Sequence, residues 1–185
     1  MTIITRLLSA QGLRHRLAER RERMYRLAFS WCHNPSLADD LTQEALAKAL
    51  RNRTQLRDDR RLDGWLFRIL ANCWQDHLRR TKEKGGLDDL DLHHLETPEA
   101  ICDEQELVVR VRRAVAQLPL AQRQVLTLID LEEVSYAEAS EILDIPIGTV
   151  MSRISRARGT LRILLEEEVH APRRSASPPE LRRVK

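Results

Sequence analysis

The stretch SYAEASEILDIPIGTVMSRISRAR, Ser135 to Arg158, decides the fold. Ser135-Tyr-Ala-Glu138 is a capping box: a serine hydroxyl and a glutamate three residues later satisfy each other's backbone amides. It predicts a short helix ending near Leu143. Asp144-Ile145-Pro146 then makes a turn, because proline has no amide to donate and restricts the residue before it. Beyond the turn, Val150, Ile154, Ala157, Leu161 and Leu164 line one face of a longer helix. Short helix, turn and second helix is the helix-turn-helix arrangement. The outward face of the second helix carries Thr149, Ser152, Arg153 and Arg156, with no acidic residue before Glu166. Hydroxyls and arginines at a helix N-terminus suit phosphates and the guanine edges of a major groove. A solvated basic face in an ordinary bundle has the same composition, so this segment alone leaves both readings open.

Upstream, Leu107, Val108, Val111, Val115 and Leu118 form a helical stripe that Pro119 ends, and Val125, Leu126 and Ile129 form a second. Thr97-Pro98-Glu99 resembles a helix start, with threonine as cap and proline in the first turn. Further back, Met24, Leu27, Ala28 and Trp31 follow helical spacing until Asn34-Pro35. Ser36, with Asp39 three residues on, is the expected cap of a next helix along Leu37, Leu41, Ala45, Leu46 and Ala49. A polar, arginine-rich stretch runs from Arg51 to Asp63. A third helix is expected from about Leu62 to Arg80, with Leu62, Leu66, Ile69, Leu70 and Cys73 inward. Gly85-Gly86 closes it, and the Leu-Asp alternation beyond offers no apolar face.

The expected organisation is all-α, with a helical domain over 1–82, an acidic flexible linker over 83–97, a helix-turn-helix domain over 98–168 and a basic tail over 169–185. The tail holds three prolines, five basic residues and one acidic residue and reads as disordered. Composition agrees. In 185 residues there are six glycines, seven prolines and 4% aromatics, against 42% hydrophobic residues, so helices are favoured over strands. A β-sandwich, a disulfide scaffold and collagen are excluded. No apolar run reaches the roughly 18 residues of a membrane span, so no membrane insertion is expected. The first ten residues are too short an apolar stretch for a secretory signal. Three dispersed cysteines, Cys32, Cys73 and Cys102, without a CxxC pair fit a reducing cytoplasm.

The net charge of +3 hides a segregation. Glu83 to Glu106 holds nine acidic residues and one basic residue, a local −8 that leaves +11 elsewhere. A basic body with an acidic strip suggests a polyanionic partner that the strip either avoids or imitates. A plain solvated linker fits the charge equally.

With these residues in hand, the chain resembles the extracytoplasmic-function (ECF) bacterial sigma factors. Ile145-Pro-Ile-Gly-Thr-Val-Met-Ser-Arg-Ile-Ser-Arg-Ala-Arg158 looks like that family's promoter −35 reading helix, and Leu118-Pro-x-x-x-Arg123 and Ser135-Tyr-x-Glu138 also match. Asp40-Leu-Thr-Gln-Glu44 resembles its polymerase-binding motif. Trp65-Leu-Phe-Arg-Ile-Leu-Ala-Asn72, followed by Asp76 and Arg79-Arg80, resembles its −10 helix. The resemblance runs in order from about Met24 to Leu165.

The resemblance implies a dissociable subunit of RNA polymerase that directs promoter-specific initiation, reading the −35 element as duplex and the −10 element as melted strand. Asp39, Asp40, Gln43 and Glu44 would face the β′ clamp, with the β subunit also in contact; the same charges suit the first turn of any helix. Arg57, Asn72, Arg79 and Arg80 would hold the −10 strand, with Asn72 near a flipped base and Lys82 on phosphate. The polar stretch from Arg57 to Gly64 would form the adjoining loop. Thr149, Met151, Ser152, Arg153, Arg156 and Arg158 would read the −35 duplex. Asp88, Asp89 and Asp91 would thread a basic channel of the polymerase. A cognate anti-sigma factor is an expected partner, and no cofactor is. The family commonly has an aromatic residue where Leu46 stands and a basic one where Met151 stands, so the latter contact could turn apolar, towards a thymine methyl. Trp65 is expected in the core, and Asp76 with Arg80 as a helix ion pair.

Two other classes are weighed. A stand-alone helix-turn-helix regulator shares the second domain but not the polymerase motif. Enzymatic readings have little to rest on: there is no phosphate-cradling glycine loop and no nucleophile motif. Cys73 with His77, Cys32-His33 and His93-His94 lack zinc-finger spacing, and Cys73 lies on an apolar stripe.

Overall fold

Asn34 and Pro35 separate the first two helices. In the computed structural model, which describes residues 10–56, 58–83 and 103–170, α1 spans Ala10–Cys32 and α2 spans Pro35–Arg51. Asn34 is extended (φ −121°, ψ 115°), as a residue before proline must be, and its side-chain oxygen accepts from the Leu37 amide at 3.0 Å. The cap is therefore Asn34, not the expected Ser36. Proline, with φ already helical, takes the first helical position, and the capping residue has to precede it. Leu13 and Leu17 extend the buried stripe of α1 towards its N-terminus.

The arginine-rich stretch after α2 forms two single 3₁₀ turns, Arg53–Gln55 and Asp59–Arg61, with Leu56 buried between them. It leads into α3, Leu62–Glu83. Met24, Leu27, Ala28 and Trp31 of α1, Leu41, Ala45 and Ala49 of α2, and Leu62, Leu66, Leu70 and Cys73 of α3 form one core, as their spacing predicts. Trp74 and Phe67 belong to it as well, while Leu46 and Ile69 are only half-buried. Trp65 is half-buried against this core rather than within it.

The second half comprises α4 (Asp103–Ala116), α5 (Leu120–Leu126), a π-helical turn (Thr127–Leu131), α6 (Tyr136–Leu143) and α7 (Ile147–His170). Its core joins Val115, Leu118, Val125, Leu126, Ala139, Val150, Ile154 and Ala157. The α4 stripe meets this core only from Val111. Leu107 and Val108, expected inward, are 57% and 45% exposed because the first described turns of α4 contribute nothing to that core. Every regular element among the described residues is helical. The expected linker residues 84–97, the Thr97-Pro98-Glu99 start, Cys102 and residues 171–185 lie outside the described residues.

The two halves are docked. Leu128 of the π turn and Ile142 of α6 are buried in the first core, and Val134 and Leu143 touch both cores. Burying two such side chains is worth about 1.5–3 kcal/mol each. The Trp31 indole donates to the Thr127 hydroxyl at 2.9 Å across the interface. The π turn places that hydroxyl; Thr127 in turn donates to the Arg123 carbonyl at 2.9 Å.

Candidate nucleic-acid interface

The helix-turn-helix rests on local chemistry. The Ser135 hydroxyl accepts from the Glu138 amide, and the Glu138 carboxylate accepts from the Ser135 amide at 2.9 Å. Donation from the Ser135 amide, and from its hydroxyl at 2.7 Å, holds the Glu138 carboxyl below its ordinary pKa. Asp144 closes α6 in the left-handed region at φ 53°, a conformation aspartate tolerates better than most residues. The Pro146 carbonyl then accepts from Thr149 at 2.8 Å and Val150 at 3.2 Å, opening α7.

α7 turns Val150, Ile154 and Ala157 inward, each no more than 3% exposed. Met151 and Arg156 are exposed on the other side, with Thr149, Ser152 and Arg153 half-buried at its margins. No ion pair engages Arg153 or Arg156 among the described residues, so both guanidiniums are available to a ligand. Ser152 donates its hydroxyl back to the Thr149 carbonyl at 3.0 Å but keeps its acceptor lone pairs. Arg158 differs: it grips Asp130 through two bonds of 2.6 and 3.2 Å, which raises its pKa further.

The second group lies on α3. Asn72 is exposed between the half-buried Ile69 and the fully buried Cys73. Beyond it, Asp76 pairs with Arg79 at 2.8 Å and with Lys48 at 3.5 Å, while Arg80 reaches Glu44 at 3.9 Å. The expected Asp76–Arg80 pair is therefore replaced by a network across α2 and α3. Packing of these helices brings Glu44 and Lys48 of α2 (2.9 Å apart) against α3, and each charge takes the nearer partner. Arg57 lies outside the described residues. Its neighbours Arg60 and Arg61, with Trp65 and Arg68 of α3, line a cleft of about 760 Å³. Arg68 was missed by the sequence reading, although its four-residue spacing to Asn72 places both on one helix face.

On α2, Asp40 and Gln43 are exposed. Asp39 is held by Arg21 at 2.5 Å and by Gln43 at 2.6 Å, and Glu44 is half-buried in its pair with Lys48. The acidic and amide face is thus present but partly neutralised from within.

Cysteine and histidine chemistry is subdued. Burial pushes the Cys32 and Cys73 thiols above their ordinary range. Burial, then the Arg80 charge, pushes the pKa of His77 down; its ring stacks on Trp74 at 5.7 Å. No group of three metal-ligating side chains occurs among the described residues. No helix among them is long and apolar enough to cross a membrane.

With this geometry in place, the likeness to known proteins is informative. A family model described as Sigma-70 region 2 matches residues 17–84, and one described as Sigma-70, region 4 matches residues 109–161. The chain is 30% identical over 159 residues to the ECF RNA polymerase sigma factor SigW of Bacillus subtilis, covering 80% of this chain and 85% of that one. It is 33% identical over 142 residues to SigM of Mycobacterium tuberculosis, covering 77% and 71%. Among solved structures, the sigma factor RpoE of Bartonella quintana, in complex with the anti-sigma factor NepR, superimposes with a TM-score of 0.70 at 28% identity, covering 84% of this chain and 98% of that one.

Proposed function

The chain belongs to the ECF family of RNA polymerase sigma factors, which direct promoter-specific initiation and are not enzymes, and from that premise we propose how its surfaces divide the work. The N-terminal half, about residues 1–82, binds core polymerase and the −10 element; the half from about 98 to 168 reads the −35 element; residues 83–97 connect them. Residues Thr149, Met151, Ser152, Arg153 and Arg156 read the −35 element as duplex. The observation that carries this is the α7 face on which Met151 and Arg156 stay exposed while Val150 and Ile154 are buried. An exposed methionine beside free arginines suits a thymine methyl next to guanine edges and phosphates. Arg158, tied to Asp130, aims the recognition helix and takes a phosphate only by sharing that partner.

Asn72, with Arg57, Arg79 and Arg80, meets the −10 element as a melted strand. The support is the exposed amide of Asn72 on the face that Arg68 extends towards Trp65. Amides read base edges, aromatic faces stack on bases and arginines hold phosphates. Asp39, Asp40, Gln43 and Glu44 face the β′ clamp of core polymerase, which displaces their internal partners Arg21 and Lys48 with its own cations. An anti-sigma factor is a further proposed partner, by analogy with the NepR complex.

The test is retention on purified core polymerase followed by run-off transcription. Retention and a discrete transcript are expected. Asp40→Lys/Gln43→Lys should abolish both, and retention of that variant at the wild-type level would remove α2 from the polymerase interface.

A further inference from the structure

We infer that the joint between the end of α1 and α5 is a binding site for a small inorganic oxyanion of the phosphate or sulfate class, with Arg123 and His33 as its donors. The place follows from the packing. Trp31, two residues before His33, donates its indole proton to the Thr127 hydroxyl at 2.9 Å. Thr127 lies four residues past Arg123, on the same helical side, and its hydroxyl donates to the Arg123 carbonyl at 2.9 Å. This crossing sets the turn after α1 against Arg123, whose charge acts on both Cys32 and His33. His33 is braced there, with φ 50° and its ring edge-on to Phe29 at 5.9 Å. None of these residues belongs to the surfaces assigned above to polymerase, the −10 element or the −35 element.

The polar atoms of this joint are unmet. Arg123 is 3% exposed, and two of its three guanidinium nitrogens are buried with no hydrogen-bond partner among the described residues. His33 is 5% exposed, and neither ring nitrogen is bonded. The amide nitrogen of Gln124, next along α5, is a third buried donor without a partner. Burial pulls the Arg123 guanidinium down to about 10, so it is still cationic at neutral pH. No carboxylate among the described residues pairs with it. Burial holds the nearby Cys32 thiol neutral, and that thiol donates to the Asn34 carbonyl at 3.3 Å. A buried guanidinium without a counter-charge is among the costliest arrangements in a fold. An oxyanion removes the cost by bringing both the charge and several acceptors. His33, neutral because burial holds its pKa near 4, keeps one ring N–H to donate to the same anion. So deep a position suits an inorganic ion, since the phosphate of a strand carries a sugar on either side.

The experiment follows thermal unfolding of the full chain at pH 7.5 against inorganic phosphate, and separately sulfate, with chloride at equal ionic strength as the reference. Binding to the folded chain alone raises the melting temperature by mass action, by about 4 °C at about twenty times the dissociation constant. Titration calorimetry should give one site per chain. Arg123→Met should abolish the rise and, in chloride alone, should melt no lower than the wild type, because an uncompensated buried charge is gone. Arg123→Lys keeps a charge without the planar guanidinium and should keep a smaller rise. Arg162→Gln, which removes an exposed arginine of α7, should leave the rise unchanged. No rise beyond that in chloride, or a rise that survives Arg123→Met, would overturn the proposal. A lower melting temperature for Arg123→Met in chloride alone would show a guanidinium already paired, and would overturn it equally.

Discussion

Asn72 is placed where a side chain can be lost without cost to the fold. It is exposed, while Cys73 beside it is fully buried. Asn72→Ala should therefore shift folding stability by less than about 0.5 kcal/mol. Retention on polymerase should be normal, and permanganate footprinting should show weak opening of the −10 strand. Normal footprinting would return Asn72 to an ordinary surface position. Arg153→Ala and Arg156→Ala should each weaken promoter use by about 1–3 kcal/mol where the arginine reads a base. Ile154→Ala on the same helix should instead cost about 2–5 kcal/mol of stability, because that side chain is only 3% exposed. Thermal melts alongside run-off assays separate these outcomes. His33 makes a different prediction. Burial first, and the Arg123 charge second, lower its pKa from 6.5 to about 4. An unfolded chain takes up this proton below pH 6.5, whereas the folded chain resists until about pH 4. Stability is thus intact above pH 6.5 and falls on acidification towards pH 4, by up to ~3 kcal/mol. His33 has φ 50°, which asparagine tolerates, so His33→Asn should keep the turn and flatten this acid limb in denaturant titrations. An unaltered limb would place the titration elsewhere.

At the scale of elements, what is local was legible. The Ser135 capping box, the Asp144–Pro146 turn and the inward face of α7 all follow from spacing and from backbone chemistry within one or two turns. Ser135→Ala should accordingly cost about 1 kcal/mol and raise hydrogen exchange in α6 before α5 or α7. Uniform exchange across the three would contradict an independent cap. Gly159 sits inside α7, and an alanine methyl there would meet no neighbouring atom within 4 Å. Gly159→Ala should stabilise the chain by about 0.5–1 kcal/mol, read as a raised melting temperature. Elements were misread where packing outranks pattern. Ser36 has the right chemistry for a cap, but Pro35 fixed the helix start two residues earlier. Asp76 and Arg80 have the right spacing for a pair, but α2 supplies closer charges. Leu107 and Val108 have the right period, but the second core begins beyond them. Trp74 stands one position past Cys73, off the expected inward stripe, and is nonetheless buried in the first core.

At the scale of the molecule, the sequence shows two helical halves but not their docking. The Trp31 indole finds its acceptor 96 positions away, and no periodicity encodes that meeting. The same holds for the arginine cleft, whose walls come from α1, α3 and α6. The proposed polymerase-binding, −10 and −35 surfaces are each assigned to named residues of the chain. Their joint use requires a promoter in which both elements occur at one spacing, since two halves on a common polymerase address two sites at once. Transcription from a library of randomised promoter sequences, with purified core polymerase and this protein, measures that directly. Transcripts recovered only with the protein present should share a −35 and a −10 element at fixed separation, and Arg156→Ala should relax the −35 element alone. Recovery of no common elements, or of the same elements with core polymerase alone, would contradict the account.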